Sequence, residues 1–192
     1  YSYIQTAEEL KSAQGRFLLG LFQTGPLSTY PPEPSLAELT AKAIEILDSN
    51  GQNENKGFFL MIEGGQIDWA CHDNDLDNTI RQTLLFDLAV KCAVDFALTN
   101  GQTLVVVTAD HETGGLNIVG GKGKNNLDVC WCTEGHSGLP VPVYALGPKA
   151  EIFSGVYDNN TLAKKLAKLL DIEPFPEKIQ ESATLRKPQS RL

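Results

Sequence analysis

Short apolar segments alternate with longer amphipathic segments along this chain, and the alternation limits the folds that it can adopt. Four segments have the length and composition of strands buried on both faces, at residues 16–22, 57–62, 103–108 and 141–146. Segments with a helical repeat of apolar residues lie between and after them. The pattern therefore predicts an α/β fold, a three-layer sandwich in which helices cover a mostly parallel sheet.

The helices are predicted from apolar periodicity and from end signals. Ser35 and Glu38 have the spacing of a capping box and open a helix that ends near Gly51. Further helical segments begin near Ile67 and cover residues 161–170. A long amphipathic helix covers residues 79–99, with its apolar residues near one face at Ile80, Leu84, Leu88, Cys92 and Phe96. We expect residues 1–192 to form a single α/β domain whose tail, residues 174–192, frays.

Composition and charge exclude several classes of protein. The 192 residues carry a formal net charge of −8, and such an acidic surface repels a phosphate backbone, so general nucleic-acid binding is not expected. The longest apolar runs are too short to span a bilayer, and no basic-then-apolar leader is present. Because the first residue is Tyr1 and not Met, we expect a mature product or a piece of a longer protein. The four cysteines do not decide the redox compartment.

Acidic residues and histidines occur together at positions where α/β sheets bind ligands. Glu63 follows the second apolar segment, and Asp110 and His111 follow the third. Ligands of open α/β sheets gather beyond the carboxyl ends of the strands. These positions therefore indicate a binding site at that edge of the sheet.

Two further groups of residues can reach such a site. Asp68 and His72 are four residues apart, so a helix places them on one face, where carboxylate and imidazole form a normal zinc pair. His136 lies in a loop between two glycines, which lets the loop approach from a distance. Together with the residues after the strands, they predict a site for two divalent cations, which lie about 3.5–4 Å apart in known two-metal sites.

Each of these residues also has a purely structural interpretation. A single histidine near a strand end is more often a hydrogen-bonded structural residue than a ligand. Asp68 with His72 can be a solvated pair on a helix, Asp110 can cap a following helix, and Glu63 can be a surface acid. Only the combined set favours metal chemistry.

Three blocks of the sequence resemble those of alkaline phosphatases. Residues 58–72, FFLMIEGGQIDWACH, resemble the family's E-G-x-x-I-D-x-x-x-H block. Residues 105–115, VVVTADHETGG, resemble its T-A-D-H block, and residues 135–148, GHSGLPVPVYALGP, resemble the block that carries its last zinc histidine. The blocks follow one another in the order of the family, and the resemblance covers nearly all of the chain.

The resemblance implies a phosphomonoesterase that uses two zinc ions and one magnesium ion in its full-length form. It assigns a metal ion to each of six residues: Asp68, His72 and His136 to the first zinc, Asp110 and His111 to the second, and Glu63 to the magnesium. Trp69 occupies a position that varies in the family among Lys, His and Trp. We expect it either to pack against neighbours or to tune the ligands and the affinity for phosphate.

The resemblance also implies that this chain is the C-terminal half of such an enzyme. The family attacks phosphorus with a serine in a D-S-A-type motif, and this chain contains no such motif. The nucleophilic serine, a bridging Asp, a magnesium-binding Thr and a phosphate-binding Arg are all expected upstream. We therefore expect the isolated chain to be inactive.

Family resemblance further implies a homodimer, phosphate monoester substrates and a periplasmic or extracellular location. Other members of the superfamily remain alternatives, namely sulfatases and cofactor-independent phosphoglycerate mutases. A non-catalytic metal-binding or interaction domain that kept the ligands is a third alternative.

Overall fold

The structure, a computed structural model, describes residues 1–28, 30–54, 56–123 and 126–177. The chain divides into two compact units, Tyr1–Glu151 and Ile152–Leu192. Of the tail that we expect to fray, residues 174–177 form neither helix nor strand, and residues 178–192 lie outside the described residues. No helix in the described ranges combines the length and the apolar composition needed to cross a bilayer.

The described residues of the first unit form four α-helices and eight short strands. In chain order they are β1 (Ser2–Ile4), α1 (Ala7–Ser12), β2 (Leu18–Gly20), α2 (Leu36–Glu54), α3 (Gln66–His72), α4 (Leu76–Asn100), β3 (Val105–Thr108), β4 (Glu112–Thr113), β5 (Asn117–Gly123), β6 (Asn126–Cys130), β7 (His136–Ser137) and β8 (Val143–Leu146).

The strands form four separate pairs instead of one sheet. β1 and β2 are parallel, whereas β3 with β8, β4 with β7, and β5 with β6 are antiparallel. The molecule is therefore α/β in its elements, but a sandwich around a mostly parallel sheet is not confirmed among the described residues. Two parallel neighbours in a sheet are joined by a crossover connection. β3 instead pairs with β8, which runs in the opposite direction.

The strand predicted at residues 57–62 is not found: in the part of the chain that the structure describes, the segment forms neither helix nor strand and pairs with no strand. Its side chains nevertheless alternate between half-buried and exposed, the pattern of an extended backbone. Phe58 packs against Phe96 of α4, with ring centroids 6.2 Å apart, while Phe59 and Met61 are 62% and 71% exposed. The segment therefore has the burial pattern of a strand but none of the hydrogen-bonded pairing of one among the described residues.

The capping box at the start of α2 is confirmed. The amide of Glu38 donates to Ser35 Oγ at 3.2 Å, and the amide and the hydroxyl of Ser35 each donate to Glu38 Oε2 at 2.9 Å. The backbone hydrogen bond from Ser35, followed by the bond from its side chain, lowers the pKa of Glu38. The helix then continues beyond the predicted stop near Gly51 to Glu54.

The long helix α4 is confirmed as an element, but it does not bury its predicted apolar face. The helix packs against α2 and α3. Its buried residues are all small or polar: Thr79, Gln82, Ala89 and Ala97. Ile80, Leu84 and Leu88 are 41%, 61% and 51% exposed. We call these three side chains the apolar stripe of α4. Gly101 ends the helix with φ 71°, a conformation that glycine adopts readily.

The second unit contains the helix α5 (Asn159–Leu169), which corresponds to the predicted final helix. Lys165 fixes the segment before it, because its Nζ donates to the carbonyl of Ile152 at 2.7 Å. The same ammonium lies 3.5 Å from the centroid of the Tyr157 ring, a cation–π contact.

Candidate metal centre

Helix α3 places the first pair of candidate ligands. Asp68 and His72 lie one turn apart, and Asp68 Oδ2 is 3.4 Å from His72 Nε2. The other ring nitrogen, Nδ1, lies 2.5 Å from the backbone carbonyl of Glu134. Since a carbonyl only accepts, Nδ1 donates its proton to it, and Nε2 is the atom that faces Asp68. This is the arrangement that metal-binding histidines adopt.

The short ladder between β4 and β7 brings the third histidine to this pair. In that ladder Thr113 is paired with His136 and Glu112 with Ser137. As a result, His136 Nε2 lies 3.1 Å from His72 Nε2 and 3.6 Å from Asp68 Oδ1. Two ligand atoms at about 2.0–2.1 Å from a tetrahedral zinc ion are themselves about 3.3 Å apart. The two histidine nitrogens are thus spaced as zinc ligands are, and a different Asp68 oxygen faces each of them.

His111 contacts His136, and Asp110 lies beside His111. The His111 ring stacks on the His136 ring with centroids 3.6 Å apart. His111 Nε2 is 3.2 Å from Asp110 Oδ2, and the Asp110 side chain is 89% exposed. Ligand atoms of Asp68, His111 and His136 all lie within 4.8 Å of one another. Five of the six predicted ligands thus form one continuous cluster, with atoms available for a second ion.

Glu63 is the sixth predicted ligand, and the structure does not bring it into this cluster. It is exposed in the segment before α3, and no hydrogen bond or ion pair joins it to the other five within the described ranges. It lines a cavity of about 290 Å³ together with Gln66 and Trp69. The Trp69 side chain is 52% exposed, so its packing is incomplete, and its predicted tuning role stays a prediction.

A glycine turn shapes the loop that carries His111. Gly114 has φ +87°, and a Cβ there would lie 2.6 Å from the ring of Trp131 and 3.0 Å from the carbonyl of Cys71. Its own amide donates to the Gly135 carbonyl at 2.9 Å, while its carbonyl accepts from the Cys132 amide at 2.9 Å. Only glycine allows this approach, which links the His111 loop to the His136 loop.

Three residues that support the ligands were not singled out from the sequence. The Glu112 carboxylate accepts the Ser137 hydroxyl and the Gly115 amide, so it joins the two histidine loops. The Thr113 hydroxyl contacts both Asp68 and His111. The only sequence signal for them is their position next to His111 and His136.

Cys71 lies beside the cluster without belonging to it. The side chain is buried, and its desolvation raises the pKa of the thiol. A metal ligand has to be the thiolate. The cluster is therefore one of oxygen and imidazole nitrogen, the donor set of many zinc enzymes.

Comparison with known protein families gives one result for nearly the whole chain. The alkaline phosphatase family model matches residues 1–127 and 121–172. Alkaline phosphatase 4 of Bacillus subtilis (strain 168) is 31% identical in an alignment that covers 88% of this chain and 52% of that protein. The chain thus spans about half the length of this curated relative.

Solved structures agree with this result. The alkaline phosphatase of the Antarctic bacterium TAB5 has a TM-score of 0.74 and 34% identity over 88% of this chain and 52% of its own. A His 135 Asp mutant of the TAB5 enzyme, described with Mg bound in its M3 site, has a TM-score of 0.68 and 36% identity over 81% of this chain and 46% of its own.

Proposed function

Because the chain belongs to the alkaline phosphatase family, we propose that it supplies the metal-binding half of an enzyme that hydrolyses phosphate monoesters. The observation that carries the proposal is the close approach of His72 Nε2, His136 Nε2 and the two oxygens of Asp68. Imidazole nitrogen and carboxylate oxygen are donors that zinc commonly binds. Asp68, His72 and His136 would hold the first zinc ion.

Asp110 and His111 would contribute to the second zinc ion, and Glu63 to the magnesium ion. When bound, such ions act as Lewis acids that stabilise negative charge on the oxygens of the reacting phosphoryl group. A magnesium-bound relative in the same family supports a site for that ion. Because Glu63 lies apart from the other five residues, the remaining ligands of the magnesium ion would have to come from outside this chain.

The residues of this chain position the ligands and supply charge. The Glu134 carbonyl holds the proton of His72 on Nδ1, and the ladder between β4 and β7 fixes His136 against His72. The exposed Asp110 carboxylate is open to solvent and to a substrate. In phosphoryl transfer, positioning and neutralisation of charge provide most of the catalysis. The chain itself supplies no D-S-A-type nucleophile.

We further propose, for the complete protein, the features that the family implies. These are a three-layer α/β sandwich in which residues 1–192 form one domain, a homodimer, and a periplasmic or extracellular location. The alternating burial of residues 57–62 supports the larger sheet, because it is the pattern of a strand that further strands could pair with.

The proposal is tested by separating metal binding from catalysis. The purified chain is assayed for hydrolysis of p-nitrophenyl phosphate with zinc and magnesium, and zinc binding is measured by calorimetry on the chain and on His136→Ala. We expect no turnover above the metal-only control, and zinc binding that His136→Ala weakens. Turnover that survives purification would refute the inactivity of the isolated chain, and identical isotherms would refute the zinc site.

A further inference from the structure

The segment that carries His136 has few contacts of its own to hold it in place. A glycine precedes His136 and another follows Ser137, and the His136 side chain is 49% exposed. The ladder between β4 and β7 has only two residue pairs. Glycine loses more conformational freedom on folding than other residues, and two strands alone are marginally stable in water. Contacts outside the ladder therefore decide where His136 lies relative to His111.

The Glu112 carboxylate supplies such a contact on the C-terminal side of His136. On the N-terminal side, backbone hydrogen bonds from the turn at Gly114 already hold the chain. On the C-terminal side, the Ser137 hydroxyl donates to Glu112 Oε2, since an ionised carboxylate only accepts. Glu112 Oε1 accepts the amide of Gly115 at 2.8 Å, within the loop that carries His111. One side chain therefore ties the two histidine loops together through both of its oxygens.

Glu112 acts on the cluster from outside it. Among the described residues, the potential ligand atoms that lie within 4.8 Å of one another belong to Asp68, His111 and His136, and Glu112 does not belong to this group. Both of its oxygens already accept a hydrogen bond. The geometry that it controls is the contact between the His111 and His136 rings, which stack with centroids 3.6 Å apart.

We propose that Glu112 is a positioning residue: its carboxylate ties the two histidine loops, so that His111 and His136 are stacked before any metal ion binds. These histidines are candidate ligands of different zinc ions, so this one tie sets the spacing between the two sites. The effect on zinc binding rests on the proposed function. The stacking of the rings does not, because it is a property of the chain without metal.

The test compares the wild type with Glu112→Ala, Glu112→Gln and Glu33→Ala. Alanine removes both hydrogen bonds of the tie. Glutamine can keep both, because its oxygen can accept the Gly115 amide and its nitrogen can donate to the Ser137 hydroxyl oxygen. Glu33→Ala is the matched control, since the Glu33 carboxylate likewise accepts an amide and a hydroxyl, both of Ser28, in the loop before α2.

The position of the loops is measured by NMR on the metal-free chain. Nuclear Overhauser effects between ring protons report the contact of His111 with His136, and hydrogen exchange of the Gly115 amide reports its bond to Glu112. We expect ring contacts and slow exchange in the wild type, in Glu112→Gln and in Glu33→Ala, and the loss of both in Glu112→Ala. Ser137→Ala, which removes one bond of the tie, should lose the ring contacts while the Gly115 amide stays slow.

Zinc binding is the remaining measurement. We expect Glu112→Ala to weaken it about 10- to 100-fold, the usual effect of losing a residue that supports the ligands, and Glu112→Gln and Glu33→Ala to bind as the wild type does. Unstacked rings in the wild type or in Glu112→Gln, or stacked rings in a folded Glu112→Ala, would overturn the proposal. If Glu112→Ala does not fold, stacked rings in Ser137→Ala would overturn it. Absence of zinc binding by a wild type with stacked rings would instead count against the proposed function.

Discussion

The Nε2 atoms of His72 and His136 lie 3.1 Å apart, although 64 positions separate the two residues in the sequence. Two imidazole nitrogens at that distance have the spacing of two ligands of one zinc ion. We predict that zinc stabilises the chain against thermal unfolding, because binding to the folded state alone at 100 times Kd adds about 2.7 kcal/mol. The gain should disappear with a chelator and in His72→Ala, but not in Asp87→Asn, which changes an exposed acid of α4 outside the cluster. A melting temperature that does not change when zinc is added would contradict the prediction.

Gly114→Ala should destabilise the loops around the cluster. The new Cβ would meet Trp131 at 2.6 Å and would force alanine to φ +87°, and such strain costs about 1–3 kcal/mol. Urea denaturation measures the free energy of unfolding, and zinc titration measures the site. Gly138→Ala is the control, because a Cβ there meets nothing within 4 Å and φ lies outside the positive range. Equal losses in the two variants would show that the turn at Gly114 has no special role.

The capping box should make part of the stability depend on pH. Hydrogen bonds from Ser35 lower the pKa of Glu38. A carboxyl whose pKa is lowered by folding stabilises the protein above its unfolded pKa, and the contribution is lost as the pH falls through the lowered, folded value. The difference in unfolding free energy between the wild type and Glu38→Gln should therefore be constant near neutral pH and shrink in acid. The same difference at every pH would contradict this account.

The apolar stripe of α4 should promote self-association of the isolated chain. Its three side chains are between 41% and 61% exposed, and apolar surface of this kind is usually covered by a partner. We predict that sedimentation velocity shows a species that grows with concentration, and that the double variant Leu84→Lys and Leu88→Lys reduces it. Leu139→Lys changes an equally exposed leucine outside α4 and should have little effect. A monomer at all concentrations would refute the prediction.

Local signals in the sequence predicted much of this molecule. The capping box of Ser35 and Glu38, the stop at Gly101 and the helical spacing of Asp68 and His72 each depend on residues within one or two turns. The resemblance to alkaline phosphatases predicted which polar side chains would form the site, and five of the six lie together.

What could not be predicted depends on residues distant in the sequence. The periodicity of α4 placed Leu84 and Leu88 on the buried side, but the helix instead buries Ala89 and Thr79 against its neighbours. Periodicity gives the apolar face of a helix and not the partner that covers it. The hydroxyl of Thr113 was missed for the same reason, since its contact with Asp68 joins positions 45 residues apart.

The central claim is that Asp68, His72 and His136 hold a divalent cation together. Crystals of the chain grown with zinc, measured on both sides of the zinc absorption edge, test it directly through anomalous difference density. The account predicts a zinc peak within about 2.0–2.2 Å of His72 Nε2, His136 Nε2 and an Asp68 oxygen. Zinc found only at other residues, or no peak at saturating zinc, would contradict it.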